Sequence, residues 1–517
     1  MSEKINIAVG SKVITQKLNA EESNLTMNTF KQKALFSALA GAGALAMAGA
    51  ANAVYVNGDG LGQALVYPYY TVRAGTNTLL SVVNTTDNPK AVKVRFLEGK
   101  NSQEVLDFNL FLSPKDVWTA AVIDTGTGGA VVTGDKSCTN PKIPATGAIF
   151  RNFAYSDDSA ALTTLDRTRE GYVEILEMAT INPASALGKD VTHVSGVPAC
   201  KLVTDASVTG LTTATLSAPS GGLFGSGTLL NALGGASTGY DAVALDGWST
   251  LRGSITRSGD ILPNLGTGSS TVSVVNWNGS VYVANFLESV DAVSATMMHN
   301  QVFGEYAFTS DGVIGTDWVI TMPTKNRYVN ATVALDPFEN AWDPVNGVSC
   351  DSVTLSSTDR EEFVGVTNDD FSPLPPAAKG NALCYEANVI SFGGVTSAGA
   401  SFVLGSKNTV GIVPVQNAGA TVATAGKEGG WLTLGFSSVF AQLASIDGSI
   451  TTTASGTAAS SATGSQTYFG LPVVGFAISS ASYKTGNPQQ NYNNSYNLKL
   501  SRSITAAAGP QPVPRGN

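Results

Sequence analysis

The sequence predicts a mostly β protein: an antiparallel, sandwich-like architecture with a few short helices, arranged in two domains. Three observations carry this prediction. Short runs rich in Val, Ile, Leu, Thr and aromatic residues recur along the chain, separated by clusters of Gly, Pro, Asn and Asp. Inside several runs, apolar and polar residues alternate with period two, the pattern of a strand that buries one face. A helical period stands out in one place, after Ser289.

Residues 1–26 are polar and mixed in charge. They read as an extension from a start assigned too early, with Met27 as the working start. "MNTFKQKALFSALAGAGALAMAGAANA" (27–53) has Lys31 and Lys33 as a short positive region, then an apolar run to about Ala48, then Ala51-Asn52-Ala53. That is the layout of a secretory signal peptide cut after Ala53. Its apolar run falls short of the roughly 20 residues a membrane helix needs. The expected product is secreted, at the cell surface or beyond it, with no transmembrane span after cleavage. "VYVNGDGLG" then opens the mature chain. Counted from Asn57, an EF-hand fails at Leu61 and Pro68, where position 5 should be a ligand and position 12 a Glu. A dinucleotide fingerprint fails at Gln63, where a third Gly should stand. The stretch reads as a turn feeding "QALVYPYYTV", which Pro68 marks as an edge strand.

The first domain is expected over 54–272. "LLSVV", "AVKVRFL", "VLDFNLFL" and "VWTAAVI" are strands, joined by turns at "NTTDNPK", "EGKNSQ" and "SPKD". Val92, Val94 and Phe96 alternate with Lys93 and Arg95, so one face should be buried and the other wet. Trp118 belongs to the core. "REGYVEILEMA" (169–179) is a further strand, and "GGLFGSGTLLNALGG" (221–235) places Gly at strand ends. After "GTGSST" (266–271) the second domain is expected over 273–500. "STVSVVNWNGSVYVANF" is a hairpin across Asn278-Gly279. A helix is expected near 289–306, capped by Ser289, with Val290, Val293, Met297 and Met298 on one stripe and His299 beside it. The Met pair reads as core packing rather than a cofactor box. "GSITTTASGTAASSATGSQ" (448–466) reads as a loop or insertion, and 501–517 as a flexible Pro-containing tail.

Only 13% of the residues are charged, against a usual quarter, and the net charge is −9. Nucleic acid is excluded as a partner, because it needs basic patches. Four Cys, at 138, 200, 350 and 384, allow three pairings, and export permits disulfides. The nearest-neighbour scheme, Cys138–Cys200 and Cys350–Cys384, is expected. Zinc fails on spacing, since no two Cys lie two to four apart.

Catalytic kits are scarce. There are two His, at 193 and 299, and no P-loop. Gly235-Ala236-Ser237-Thr238-Gly239 matches a nucleophile elbow, but no strand–helix alternation surrounds it. Two acidic stretches remain: "RNFAYSDDSA", with Asp157 and Asp158, and "STDREEFVGVTNDDFSP", with Asp359, Glu361, Glu362, Asp369 and Asp370. Asp157, Asp158, Asp359, Glu361, Asp369 and Asp370 are candidate weak calcium loops, since clustered loop carboxylates suit that ion. Calcium is the one cofactor considered. The same carboxylates could serve a hydrolase as acid and base. Asn84-Thr85-Thr86 and Asn330-Ala331-Thr332 are glycosylation sequons, which mark surface loops in a secreted protein. An outer-membrane barrel is weighed against the Pro-rich tail, which stands where a closing aromatic strand would be.

"GLGQALVYPYYTV" (60–72), "GTDWVITMPTKNRYV" (315–329) and "GLPVVGFA" (470–477) occur together. The set resembles a group of exported proteobacterial cell-surface proteins, over most of the mature chain. The resemblance implies an envelope or extracellular location and carries over no catalytic residue. Asp317, Trp318 and Lys325 are the most conspicuous residues of the middle stretch. A weaker likeness, of composition alone, is to surface-layer subunits. The expected function is therefore a secreted, non-catalytic structural protein of the cell surface that associates with itself or with surface components. The alternative is an extracellular binding module, an adhesin or a polysaccharide or metal-ion binder, acting through acidic loops.

Overall fold

The computed structural model describes residues 53–251, 253–309, 312–360, 362, 381–393, 400–409, 429–436, 438–452, 460–483 and 490–507. Strands dominate, and the sheets are antiparallel. An eight-stranded sheet orders Tyr55–Val56, Val243–Asp246, Ala64–Thr71, Glu170–Ile181, Lys90–Glu98, Glu104–Leu112 and Cys138–Asn140, with Leu216–Ser217 paired to Glu170–Ile181. A six-stranded sheet orders Ala236–Asp241, Leu223–Asn231, Asn77–Asn84, Val117–Asp124, Gly129–Val132 and Ala148–Ile149. The two sheets form a sandwich. Leu65, Tyr67, Val92, Val94, Phe96 and Phe108 from the first share one core cluster with Leu80, Val82, Trp118 and Val122 from the second. Burial of such side chains, at about 1.5–3 kcal/mol each, supplies the main driving force.

The alternation in Lys90–Glu98 separates two faces, but neither is wet. Lys93 and Arg95 are 0% and 3% exposed. Their face is covered by the segment after Trp248: Lys93 Nζ donates to the Arg257 carbonyl at 3.1 Å, and the Leu265 N–H donates to Glu174 at 3.2 Å. Charge at these positions survives burial because each group is paired. Lys93 meets Asp107 at 2.5 Å, Lys90 meets Glu177 at 2.7 Å, and Arg95 bridges Glu104 and Glu174 at 2.7 Å each. Period two reports which residues share a face. It does not report what lies over that face.

Ala64–Thr71 is likewise not the edge strand that Pro68 suggested. It lies between Val243–Asp246 and Glu170–Ile181, buried along its whole length. The register against Glu170–Ile181 shifts between Gly171 and Val173, where Tyr70 and Tyr67 are the successive partners. Pro68 therefore sits in a bulge, where no ladder N–H is required of it. Its carbonyl accepts from Thr321 Oγ1 at 2.6 Å. The "VNGDG" stretch before this strand is a turn: the Gly60 N–H donates to the Asn57 carbonyl at 3.0 Å, and Gly60 has φ 75°.

Beyond residue 272 the sheets are smaller. Asn278 and Gly279, both at positive φ, close the hairpin of Val272–Trp277 with Ser280–Asn285. The helix spans Ser289–Met297, shorter than expected. Met298–His299 and Gln301–Ala307 are strands, so the apolar period at 302–306 belongs to a sheet. Ser289 donates to the Gly266 carbonyl instead of capping the helix. Met297 and Met298 are core residues. Asp447–Thr452 and Ser460–Thr463 pair with each other, so both ends of the Ser/Thr-rich stretch are sheet.

Ala387–Phe392, Ile314–Thr321, Val474–Tyr483 and Gln490–Tyr496 form one further sheet. Val319, Val389, Phe476 and Ile478 on one face join the sandwich core. Trp318, Ile320, Ile390 and Phe392 on the other face join a separate core with Val302, Leu432 and Leu434. The boundary between residues 272 and 273 thus falls within a strand, and the clusters run across it. Cys138 is bonded to Cys200 and Cys350 to Cys384. Among the described residues no helix is long and apolar enough to cross a membrane.

Candidate assembly interface

The acidic residues singled out in the sequence are dispersed. Asp157 is exposed, with Ser156 Oγ 3.5 Å from its carboxylate. Asp158 is engaged on both oxygens, by Arg167 Nη1 at 2.6 Å and Trp342 Nε1 at 2.8 Å. Asp359 ends the strand Thr354–Asp359, 7% exposed and opposite Gly430. Glu361, Asp369 and Asp370 lie outside the described residues. Among the described residues no three His, Cys, Asp or Glu are grouped to hold a metal ion. Of the sequons, Asn84 is buried and its amide donates to two carbonyls, whereas Asn330 is exposed. Ser237 lies within the strand Ala236–Asp241, which argues against a nucleophile elbow.

The surface feature with the clearest construction is the outer face of the six-stranded sheet. In Asn77–Asn84, Thr78, Leu80 and Val82 point into the sandwich, so Leu79, Ser81 and Val83 point out. Register extends the face sideways. Val83 lies between Val117 and Phe224, Ser81 between Thr119 and Ser226, and Leu79 between Ala121 and Thr228. Val117 and Phe224 are 48% and 41% exposed, and with Val83 they form an apolar ridge across the strands. Beside it lies a trough of about 590 Å³, lined by Leu79, Ser81, Thr119, Ala121, Ser226 and Thr228 among others. None of the lining residues is charged. The trough's hydroxyls are partnered locally: Ser81 and Ser226 bond each other at 3.1 Å, and Thr133 Oγ1 donates to the Thr119 carbonyl at 2.6 Å. One edge of this sheet is covered, because Asn491 and Ser495 donate to the carbonyls of Gly234 and Gly239. Edge-on addition of strands is blocked there, while the face stays open.

The charged residues that sequence reasoning missed form a buried seam. Arg73 bridges Glu170 at 2.6 Å and Asp166 at 3.1 Å, and Glu170 also receives Ser406 Oγ and the Lys407 N–H. Arg167 pairs with Glu98 at 2.9 Å and lies over the Tyr155 ring. Lys100 Nζ sits 4.0 Å from the centre of the Tyr385 ring. Burial lowers its ammonium to about 8, against the pull of Glu98 and Glu170. Glu386 accepts from Ser102 Oγ at 2.5 Å, and burial raises its carboxyl to about 8. Asp317, already conspicuous in the sequence, is also fully buried. Burial pushes its carboxyl up, while the Leu404 N–H, among others, pulls it down. Glu98 and Glu170 stand at the ends of apolar runs beside polar turns, which gave no signal of burial, whereas Asp317 lies inside a strand-like run.

Comparisons with protein-family models, with curated proteins and with solved structures find no match to this chain. The functional reading therefore rests on the molecule itself.

Proposed function

We propose that the protein is an exported, non-catalytic structural component of the cell surface that associates with copies of itself through the outer face of the six-stranded sheet. One observation carries this: an uncharged trough of small residues lies beside an exposed ridge of Val83, Val117 and Phe224 on the same flat face. A two-fold axis through the face would seat each copy's ridge in the other's trough, which is how a closed dimer interface complements itself. The ridge is apolar, and the trough's lining carries no charge to desolvate, although the chain as a whole is at −9. Two disulfides fit an oxidising compartment outside the cytoplasm, in line with a signal peptide cleaved after Ala53. The sequence resemblance to exported cell-surface proteins points the same way.

The test is light scattering on the purified, oxidised chain, with and without calcium, followed by the same measurement on Phe224→Lys. Concentration-dependent oligomers that fall to monomer in the variant are expected. A monomer at every concentration overturns the proposal. A second reading, a polysaccharide-binding module, is favoured by one cleft of about 640 Å³ lined by Tyr306, Phe308, Asp359, Arg360 and Trp431. A monomer whose melting temperature rises with soluble polysaccharide would select that reading.

A further inference from the structure

Lys325, conspicuous in the sequence, is given no role by the assembly face. It belongs to the short turn Lys325–Arg327 after the strand Ile314–Thr321, and its side chain is 2% exposed. Its Nζ lies 2.6 Å from Asp351 Oδ2, on a side chain 3% exposed, and 2.6 Å from the Ser349 carbonyl. The other Asp351 oxygen accepts the Glu339 backbone N–H at 2.7 Å. The Phe338 ring lies on one side, centred 5.5 Å from Nζ. Glu386 is nearby and buried, and Lys325 contributes to its electrostatic surroundings. The Cys350–Cys384 disulfide adjoins both acids in the chain: Asp351 follows Cys350, and Glu386 lies two residues after Cys384. The strands Asp351–Ser352 and Ala382–Leu383 pair alongside it.

We infer that Lys325 and Asp351 condense to an intramolecular isopeptide bond, a covalent cross-link that ties the 325 turn to the 351 strand. The amine and the carboxyl carbon are held together in a site from which solvent is almost wholly excluded. Such positioning replaces a bimolecular encounter by an effective molarity of about 10⁵ M or more. The ion pair first passes a proton from Nζ to Oδ2, giving a neutral amine and a neutral acid. The low-polarity surroundings favour this neutral pair, and burial already pushes the Asp351 carboxyl up against the pull of Lys325. The Nζ lone pair then attacks Cγ. The Glu339 N–H points at Oδ1, where negative charge develops. The Cγ–Oδ2 bond breaks, and that oxygen departs as water with two protons that began on the ammonium. One proton stays on the amide nitrogen, so atoms and charge balance without oxidant or cofactor. The Glu386 carboxyl is the proton carrier for the transfers.

The buried Lys90–Glu177 pair differs in what holds the carboxylate. Glu177 receives the Ser220 and Gly221 N–H groups and Thr180 Oγ1 besides Lys90. Among the described residues, Asp351 has a single backbone donor besides the lysine.

The experiment is mass spectrometry of the oxidised full chain, intact and after protease digestion. The expected result is a joined pair of peptides, one holding Lys325 and the other Asp351, lighter than their sum by one water and resistant to disulfide reduction. Asp351→Ala abolishes the joined species, and Glu386→Gln slows its appearance after refolding while far-ultraviolet circular dichroism stays unchanged. Recovery of the Lys325 and Asp351 peptides unlinked, from folded protein with both disulfides formed, overturns the inference without any variant.

Discussion

Glu386→Gln should remove a dependence of stability on pH that few buried acids would give. Glu386 is 2% exposed, and burial raises its carboxyl from the ordinary 4.5 to about 8. Its folded form therefore keeps a proton that the unfolded chain gives up from about pH 4.5 upward. A raised carboxyl contributes stability in full below the unfolded value and loses it as pH climbs through the folded one. At about 1.4 kcal/mol per pH unit, the loss between pH 4.5 and 8 comes to about 5 kcal/mol. Lys100 acts in the adjoining window. Its ammonium is lowered from 10.5 to about 8, so its contribution is present above 10.5 and lost as pH falls to about 8. That loss is about 3 kcal/mol at most, since the side chain is only partly covered. The two slopes meet, and together they place a minimum of stability near pH 8.

Urea unfolding of the oxidised chain at steps from pH 5 to pH 10 measures this. The wild type should lose stability up to about pH 8 and regain part of it above. Glu386→Gln keeps an acceptor for Ser102 but cannot ionise, so it should flatten the lower limb and be the more stable form at pH 7.5. Lys100→Met should flatten the upper limb alone. Curves for the wild type and Glu386→Gln that run parallel from pH 5 to 8 would refute the reasoning. They would show that Glu386 titrates in the folded chain as it does in the unfolded one.

Two further outcomes follow from the buried charges and the covalent staples. Arg167→Ala leaves Glu98, 0% exposed, without its guanidinium, and should cost about 3–5 kcal/mol in urea unfolding; a loss below about 1 kcal/mol would mean that the backbone N–H groups of Lys100, Asn101 and Gln103 suffice to hold the carboxylate. Replacing Cys138 and Cys200 together by Ser removes a link between residues 62 apart and should lower stability by about 4 kcal/mol, read from the shift in urea midpoint.

Much of the fold was legible because period two and turn chemistry are local. The strands from Asn77 to Asp124 and the Asn278-Gly279 hairpin follow from a few neighbouring residues each. What the sequence concealed depends on distant partners. Lys93 and Arg95 looked solvent-facing because nothing nearby announces that Arg257 and Leu265 lie over their face. Pro68 looked like an edge marker because the bulge that accommodates it is made with Gly171–Val173, a hundred residues away. The helix was drawn too long because Val302 and Tyr306 continue an apolar spacing that a strand also satisfies. The assembly face was invisible for a related reason. Leu79, Val83, Val117 and Phe224 come from three strands, and only the register brings them together.

The low charge of the chain acquires a physical meaning from this placement. Many of the charged groups are turned inward as bonded pairs: Lys90 with Glu177, Lys93 with Asp107, Arg95 with Glu104 and Glu174, Arg73 with Glu170, and Arg167 with Glu98. Such pairs add little net stability over apolar packing, but each requires a specific partner, so they penalise any arrangement that separates the members. A chain built mostly from Ala, Val, Thr, Ser and Gly has few bulky side chains with which to exclude alternative registers, and sheets of small residues are prone to slip. Buried ion pairs supply the discrimination that size does not. The consequence outside is an uncharged trough on one sheet face, which suits packing against an identical surface. The internal ion pairs and the uncharged trough are two results of one allocation of few charged residues.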